Sequence, residues 1–251
     1  MRRHKRGVAL LFIGLILVVA TTMAALREQD RNVSSSDKQQ KTDKKDFENQ
    51  FPIADFNSPA LADPMERAKR QAKGEKYNES ISPIDERTDT IFSTVDWEVG
   101  ISAIPVSQSD AIVVVRVLDA QAHLSNDETG VYSEFTLAIE QLLKTDSRSP
   151  LNPDSSIVVE RKGGRVRYPS GHLTLYHIRG QGMPRTGHRY VLFLKRDSQE
   201  QDFSILTGYE LNAGRVALLD SPGDHPITRQ KGKDETSFLN ELRTAIADPQ
   251  Q

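Results

Sequence analysis

Between Val106 and about Leu219 the chain is divided into short apolar runs by glycine, proline, asparagine and aspartate, with no long helical periodicity between them. This restricts the fold more than any other feature. In "SDAIVVVRVLDAQAHL", Ala111, Val113, Val115 and Val117 fall on one face of a strand, and Ile112, Val114 and Leu118 on the other with Arg116. "VYSEFTLAIEQLL" alternates strictly, with Val131, Phe135, Leu137 and Ile139 facing one way and Glu134, Thr136 and Glu140 the other, as a half-exposed strand does. "SSIVVERKGGRVRYPSG" predicts a strand, a Gly-Gly turn and a short return. "HLTLYHI", a Gly/Pro loop and "HRYVLFLKR" follow, then two further strands in "FSILTGYELNAGRVALLD" with Asn-Ala-Gly as the turn. About six to eight short strands joined by hairpin-like links predict a mainly β fold, a small antiparallel β-barrel over residues 106–222.

"HRYVLFLKR" has two apolar faces. Tyr190, Leu192 and Leu194 point one way and Val191 and Phe193 the other, so the strand is expected to be covered on both sides. The cover for one side is the amphipathic helix expected in the tail, residues 223–251. There Asp234 or Thr236 caps the helix, Phe238, Leu239, Leu242 and Ile246 form its stripe, and Pro249 ends it.

The N-terminus carries a different signal. Residues 1–6, "MRRHKR", are basic at five of six positions, and Gly7 to Leu26 is a stretch of 20 residues without a charge. At about 1.5 Å per residue this spans a hydrocarbon core of about 30 Å. Two readings are open: a retained transmembrane signal-anchor over 7–26, or a secretory signal cleaved near Ala24 or Ala25 in "TTMAA". Both carry residue 27 onward out of the cytoplasm. The localisation expected is a bacterial inner membrane, crossed once with the C-terminal domain outside, or secretion after cleavage.

Residues 27–105 read as a largely disordered linker. "REQDRNVSSSDKQQKTDKKDFENQ" is polar, mixed in charge and poor in aromatics, too poor to offset the entropy of ordering. Within it a short helix is expected near 63–77, with Asp63 as cap and Pro64 in the first turn, docking weakly because it has few apolar residues.

The chain has no cysteine, which excludes disulfides, thiolate metal sites and a cysteine nucleophile. A formal net charge of -2 argues against nucleic acid as partner, since phosphate binding needs a strong cationic field. No phosphate-cradling glycine loop and no G-x-S-x-G is present. No cofactor or metal is expected, and no catalytic residue is assigned. The candidate ligand contacts are Arg161, Arg165, Arg167 and Tyr168 in the basic "ERKGGRVRYPSGH" and the histidines His177 and His188. These two stand near the mouth of an expected hairpin over 172–188. Each has a plainer reading, as a solvated hairpin and as rim histidines.

The early valine-rich strand, "GGRVRYPSG", "GHRYVLFLKR", "LTGYELNAGRV" and the late "FLNELRTAI" together resemble a group of uncharacterised exported bacterial proteins. The resemblance covers roughly residues 106–246 and implies an OB-like barrel of the netrin/TIMP kind, with no catalytic residues to carry over. The expected function is a non-catalytic, membrane-anchored or secreted binding module of the envelope, its partner an envelope protein or glycan. The alternative is a hydrolase or metal-dependent enzyme using the histidines around 172–188.

Overall fold

A computed structural model of the protein describes residues 48–79, 83–92, 100–145, 150–197, 202–220 and 225–248. The chain divides into Met1–Asn49 and Gln50–Gln251, and the second unit carries the elements whose bounds follow. The basic tail 1–6, the apolar run 7–26, linker residues 27–47 and Pro249 lie outside the described residues. Among the described residues, no helix is long and apolar enough to cross a membrane.

In chain order the elements are β1 (Ile53–Asp55), α1 (Pro64–Lys76), β2 (Thr90–Phe92), β3 (Ala111–Leu124), β4 (Val131–Lys144), β5 (Ser156–Lys162), β6 (Gly164–Arg167), β7 (Leu173–His177), β8 (Arg189–Arg196), β9 (Phe203–Asn212), β10 (Arg215–Leu218), a 3-10 turn at Pro226–Gln230 and α2 (Glu235–Ala247). The protein is mainly β, with a largely antiparallel sheet and a C-terminal helix. Antiparallel pairing joins β4 to β3 and β5, and β8 to β3 and β9. A short parallel contact, Val159↔Phe203 and Glu160↔Ser204, joins β5 to β9. These five strands therefore close on themselves, and β10 extends one end of β9 through the Ala213-Gly214 turn.

Alternation fills the ring. Val113 and Val115 from β3, Phe135 and Leu137 from β4, Val159 from β5, Leu192 and Leu194 from β8, and Phe203 and Ile205 from β9 belong to one buried cluster. The opposite face of β3, β8 and β9, with Ile112, Val114, Val191, Phe193 and Tyr209, packs with Phe238 and Leu242 of α2. The two-faced pattern of β8 thus has the physical cause expected for it, and Asp234 caps α2 through Ser237 N at 3.0 Å. Burying each such apolar side chain contributes about 1.5–3 kcal/mol.

β3 and β4 are 14 residues each, about 46 Å when extended, and three register shifts bend β3 around the ring. Their far ends, at Ala122 and Val131, leave it and pack under a second sheet ordered β1-β6-β7-β2. Here the structure departs from the expected linker. The helix near 63–77 is present as α1, but the same segment also supplies β1 and β2, which flank the β6–β7 hairpin by parallel pairing. Neither strand exceeds three residues, too short for alternation to register in the sequence.

Two connections also differ from expectation. "KGGRV" is not a turn and return. β5 pairs with β4 and β9, β6 with β1 and β7, and the chain crosses between sheets at Gly163, whose φ is +111°. A Cβ at Gly163 would lie 2.6 Å from Met183 Cε, the end of a flexible side chain that can move aside, so it is the positive φ that requires glycine there. "HLTLYHI" and "HRYVLFL" do not form the 172–188 hairpin, because β7 belongs to the small sheet and β8 to the ring. The loop between them spans two sheets and joins no neighbouring pair.

Candidate binding face

α1 forms for local reasons. The Asp63 carboxylate accepts from Met65 N at 2.7 Å and Glu66 N at 3.2 Å, Pro64 fits the first turn, and Lys73 and Lys76 sit at the negative end of the helix dipole. It lacks an apolar stripe: ten of its thirteen residues are exposed, and only Lys73 and Gly74 are buried. Its organised side is cationic instead, with Lys69, Arg70, Lys73 and Lys76 at the spacing that shares one helix face.

That stripe meets an arrangement of carboxylates in the ring. Glu134 of β4 and Glu160 of β5 are paired across the ladder. Like charges directly opposite each other destabilise a sheet, and Glu160 is 0% exposed. α1 supplies the compensation. Lys73 Nζ lies 2.7 Å from Glu134 and 3.9 Å from Glu160, and 2.7 Å from Asp202 at the start of β9. Lys76 bonds Glu160 and, at 2.6 Å, Asp197. Arg70 reaches Glu134 at 3.1 Å. His123 Nε2 also stands 3.2 Å from Glu134.

Burial opposes the charge of Glu134, but the bonds from His123 and Lys73 win and hold its pKa down to about 2. Burial likewise opposes the Lys73 ammonium, and its bonds to Asp202 and Glu134 raise its pKa nevertheless. Burial lowers the pKa of His123. Burial, and then the neighbouring Glu160 carboxylate to which its hydroxyl bonds, raise the pKa of Tyr77.

The β3–β4 turn completes the seat. Asn126 donates from Nδ2 to Gln71 O at 2.8 Å, and a Cβ on Gly74 would lie 2.2 Å from Asn126 Oδ1. Beyond the helix, Tyr77 stacks on Tyr132 of β4 with centroids 4.5 Å apart and planes 11° apart. Glu79 then pairs with Lys162 at 2.5 Å and accepts the Tyr176 hydroxyl. A cleft of about 450 Å³ opens at this end, lined by Tyr77, Lys162, Gln181, Lys195 and Arg196 among others.

The six candidate contacts do not converge. Arg161 is buried in the ring wall, donating to Gly182 O at 2.8 Å and pairing with Asp220 at 3.0 Å. Arg165 donates to Phe51 O, and Arg167 pairs with Asp55, both at the β1–β6 contact. Tyr168 is buried against Phe56, its hydroxyl on Ile84 O at 2.7 Å. His177 is packed edge-on against Phe51 and tilted against Phe92, and burial lowers its pKa. His188, half exposed, is 2.8 Å from Glu210, whose oxygens also take Arg185 at 2.7 and 3.0 Å. Glu210 is thus a junction between β9 and the loop before β8. Among the described residues, no group of three His, Asp or Glu is placed to hold a metal ion.

Sequence reasoning missed the Glu134–Glu160 pair. It set Glu134 beside Glu140 on one strand, whereas the neighbour that matters lies on the next strand. No protein-family model matches the chain, and no curated protein matches it.

Proposed function

We propose that the chain is a non-catalytic binding module with an OB-like barrel, held outside a bacterial inner membrane by residues 7–26 or released there by cleavage. The strand circuit supports the fold: first to second to third to fifth to fourth to first, with third and fifth parallel. This is also the plan of the exported proteins that the sequence resembles.

The observation that carries the binding reading is the seat of α1. Barrels of this plan take ligands on their second and third strands, between the loop joining the first two strands and the loop joining the last two. α1 touches each of these places: Glu134, Glu160, Asn126, and Asp197 with Asp202. Their carboxylates repel phosphates and favour a cationic ligand, so the partner is a protein segment of the envelope, not a nucleic acid.

Two measurements test this. Alkaline phosphatase fused after residue 60 should be active in a bacterial host, and an inactive fusion would place the domain inside. A photo-crosslinking residue at Val158, exposed on β5 beside Glu160, should give a discrete adduct in intact cells that the same probe at Arg243 on α2 does not. Identical patterns from the two sites would refute a binding role for this face.

A further inference from the structure

The strands hold together through apolar burial; α1 does not. Its seat consists of four cations against four carboxylates, two contacts with Asn126 and one close approach at Gly74. An isolated helix of thirteen residues is marginal in water, so α1 owes its order to this face. The face in turn is poor without a cation: Glu134 and Glu160 oppose each other across the ladder, and the second is fully buried. Lys73 stops 3.9 Å short of Glu160, whose nearer partners are Lys76 and the Tyr77 hydroxyl at the end of the helix.

We infer that the Glu134–Glu160 face is a receptor for a lysine- or arginine-rich helix supplied by a second polypeptide, and that α1 is its resident, exchangeable occupant. This rests on the binding-module reading above and names the partner chemistry of that site. The recognition code is the one α1 displays. Cations at the positions of Arg70, Lys73 and Lys76 meet Glu134, Asp202, Glu160 and Asp197. A glycine at the position of Gly74 admits Asn126, an aromatic ring at Tyr77 covers Tyr132, and a carboxylate at Glu79 meets Lys162.

Tethering protects the resident. A short connection gives an occupant an effective concentration of about 1 mM, so a free helix of equal affinity at 10 μM would take only about 1% of the faces. Releasing α1 should expose the site.

The test uses the whole chain and a fluorescent synthetic peptide of residues 63–79, followed by anisotropy. Wild-type chain should bind it weakly. Lys73→Glu with Lys76→Glu, which sets carboxylates against carboxylates, should raise affinity by about 1 mM divided by the Kd of the peptide for the freed face, about 100-fold for a Kd of about 10 μM, with the affinity falling as salt is added. The same peptide carrying G74V or K73E should lose that binding. Amide exchange on the variant should show α1 unprotected and β3–β9 protected.

No peptide binding by a variant in that state overturns the inference, as does an α1 that stays protected. Should this variant unfold, Lys73→Gln with Lys76→Gln replaces it, and unfolding of both makes α1 integral to the fold, which also overturns exchange. An adduct from Val158 without peptide binding would sink this inference and leave the binding-module reading standing; absence of both would sink the two together.

Discussion

Replacing Asp220 with alanine separates a structural Arg161 from a ligand-binding one. The Arg161 and Asp220 side chains are 2% and 0% exposed and 3.0 Å apart. Asp220 also accepts from Gly182 N at 2.8 Å and from the Thr207 hydroxyl at 2.8 Å, while Arg161 donates to the carbonyls of Gly182 and Leu206. Four segments meet at this point: β5, the loop before β8, β9 and the end of β10. Asp220→Ala leaves a guanidinium buried without its counter-charge and strips acceptors from two donors. Removing one partner of a buried pair costs about 3–5 kcal/mol. At about 2–4 °C per kcal/mol for a domain of this size, the melting temperature should fall by roughly 6–20 °C. Arg161→Met should cost a similar amount. The double variant Arg161→Met with Asp220→Ala should cost clearly less than the sum, because no buried charge remains. Urea denaturation of the four chains completes the cycle. A cost below about 1 kcal/mol for Asp220→Ala, or additivity within about 0.5 kcal/mol, would refute the clasp and return Arg161 to the candidate ligand contacts.

Acid should lift α1 before it opens the sheet beneath it. The folded pKa of Glu134, about 2, lies below its ordinary 4.5, so the folded chain binds this proton less tightly than the unfolded one. Its stabilisation is complete above about pH 5 and is lost as pH falls toward 2; α1 amides whose protection, corrected for intrinsic exchange, does not change over that range would contradict the ion-pair seat. Gly163→Ala should destabilise the chain by about 1–3 kcal/mol, since alanine resists a φ of +111°; an unchanged thermal melt would remove the sheet crossing as the reason for glycine there.

The strands of the larger sheet were legible in the sequence because their signals are local. The alternation of Val131, Phe135, Leu137 and Ile139 is a property of one strand, and these residues are buried as the pattern demands. The apolar run of β8 and the stripe of α2 are likewise local, and each accounts for the other through Phe193, Tyr209 and Phe238. The second sheet was not legible. Its outer strands have three residues each and are recruited to the β6–β7 hairpin from a segment whose composition resembles a linker. What orders that segment is tertiary: Phe51, Ile84 and Tyr77 are buried singly, at intervals with no period.

The face under α1 failed to register for a related reason. Glu134 reads as solvated because it alternates with apolar neighbours, and Glu160 reads as the charged end of "SSIVVER". Only the β4–β5 register sets them opposite each other, and register is a relation between strands. Neither residue alone implies a site. Together, with one fully buried, they form an arrangement that a sheet evolved for stability alone would avoid by placing a neutral residue at either position. The cost is carried by lysines from a helix whose other attachments are two bonds with Asn126 and the Tyr77–Tyr132 stack at its end. A fold that needed only a cover here would have used apolar residues, as α2 does over β3, β8 and β9 with Phe238 and Leu242. The contrast between the two helices, one fixed by burial and one held by charge, is the strongest reason to regard the face under α1 as a place of exchange.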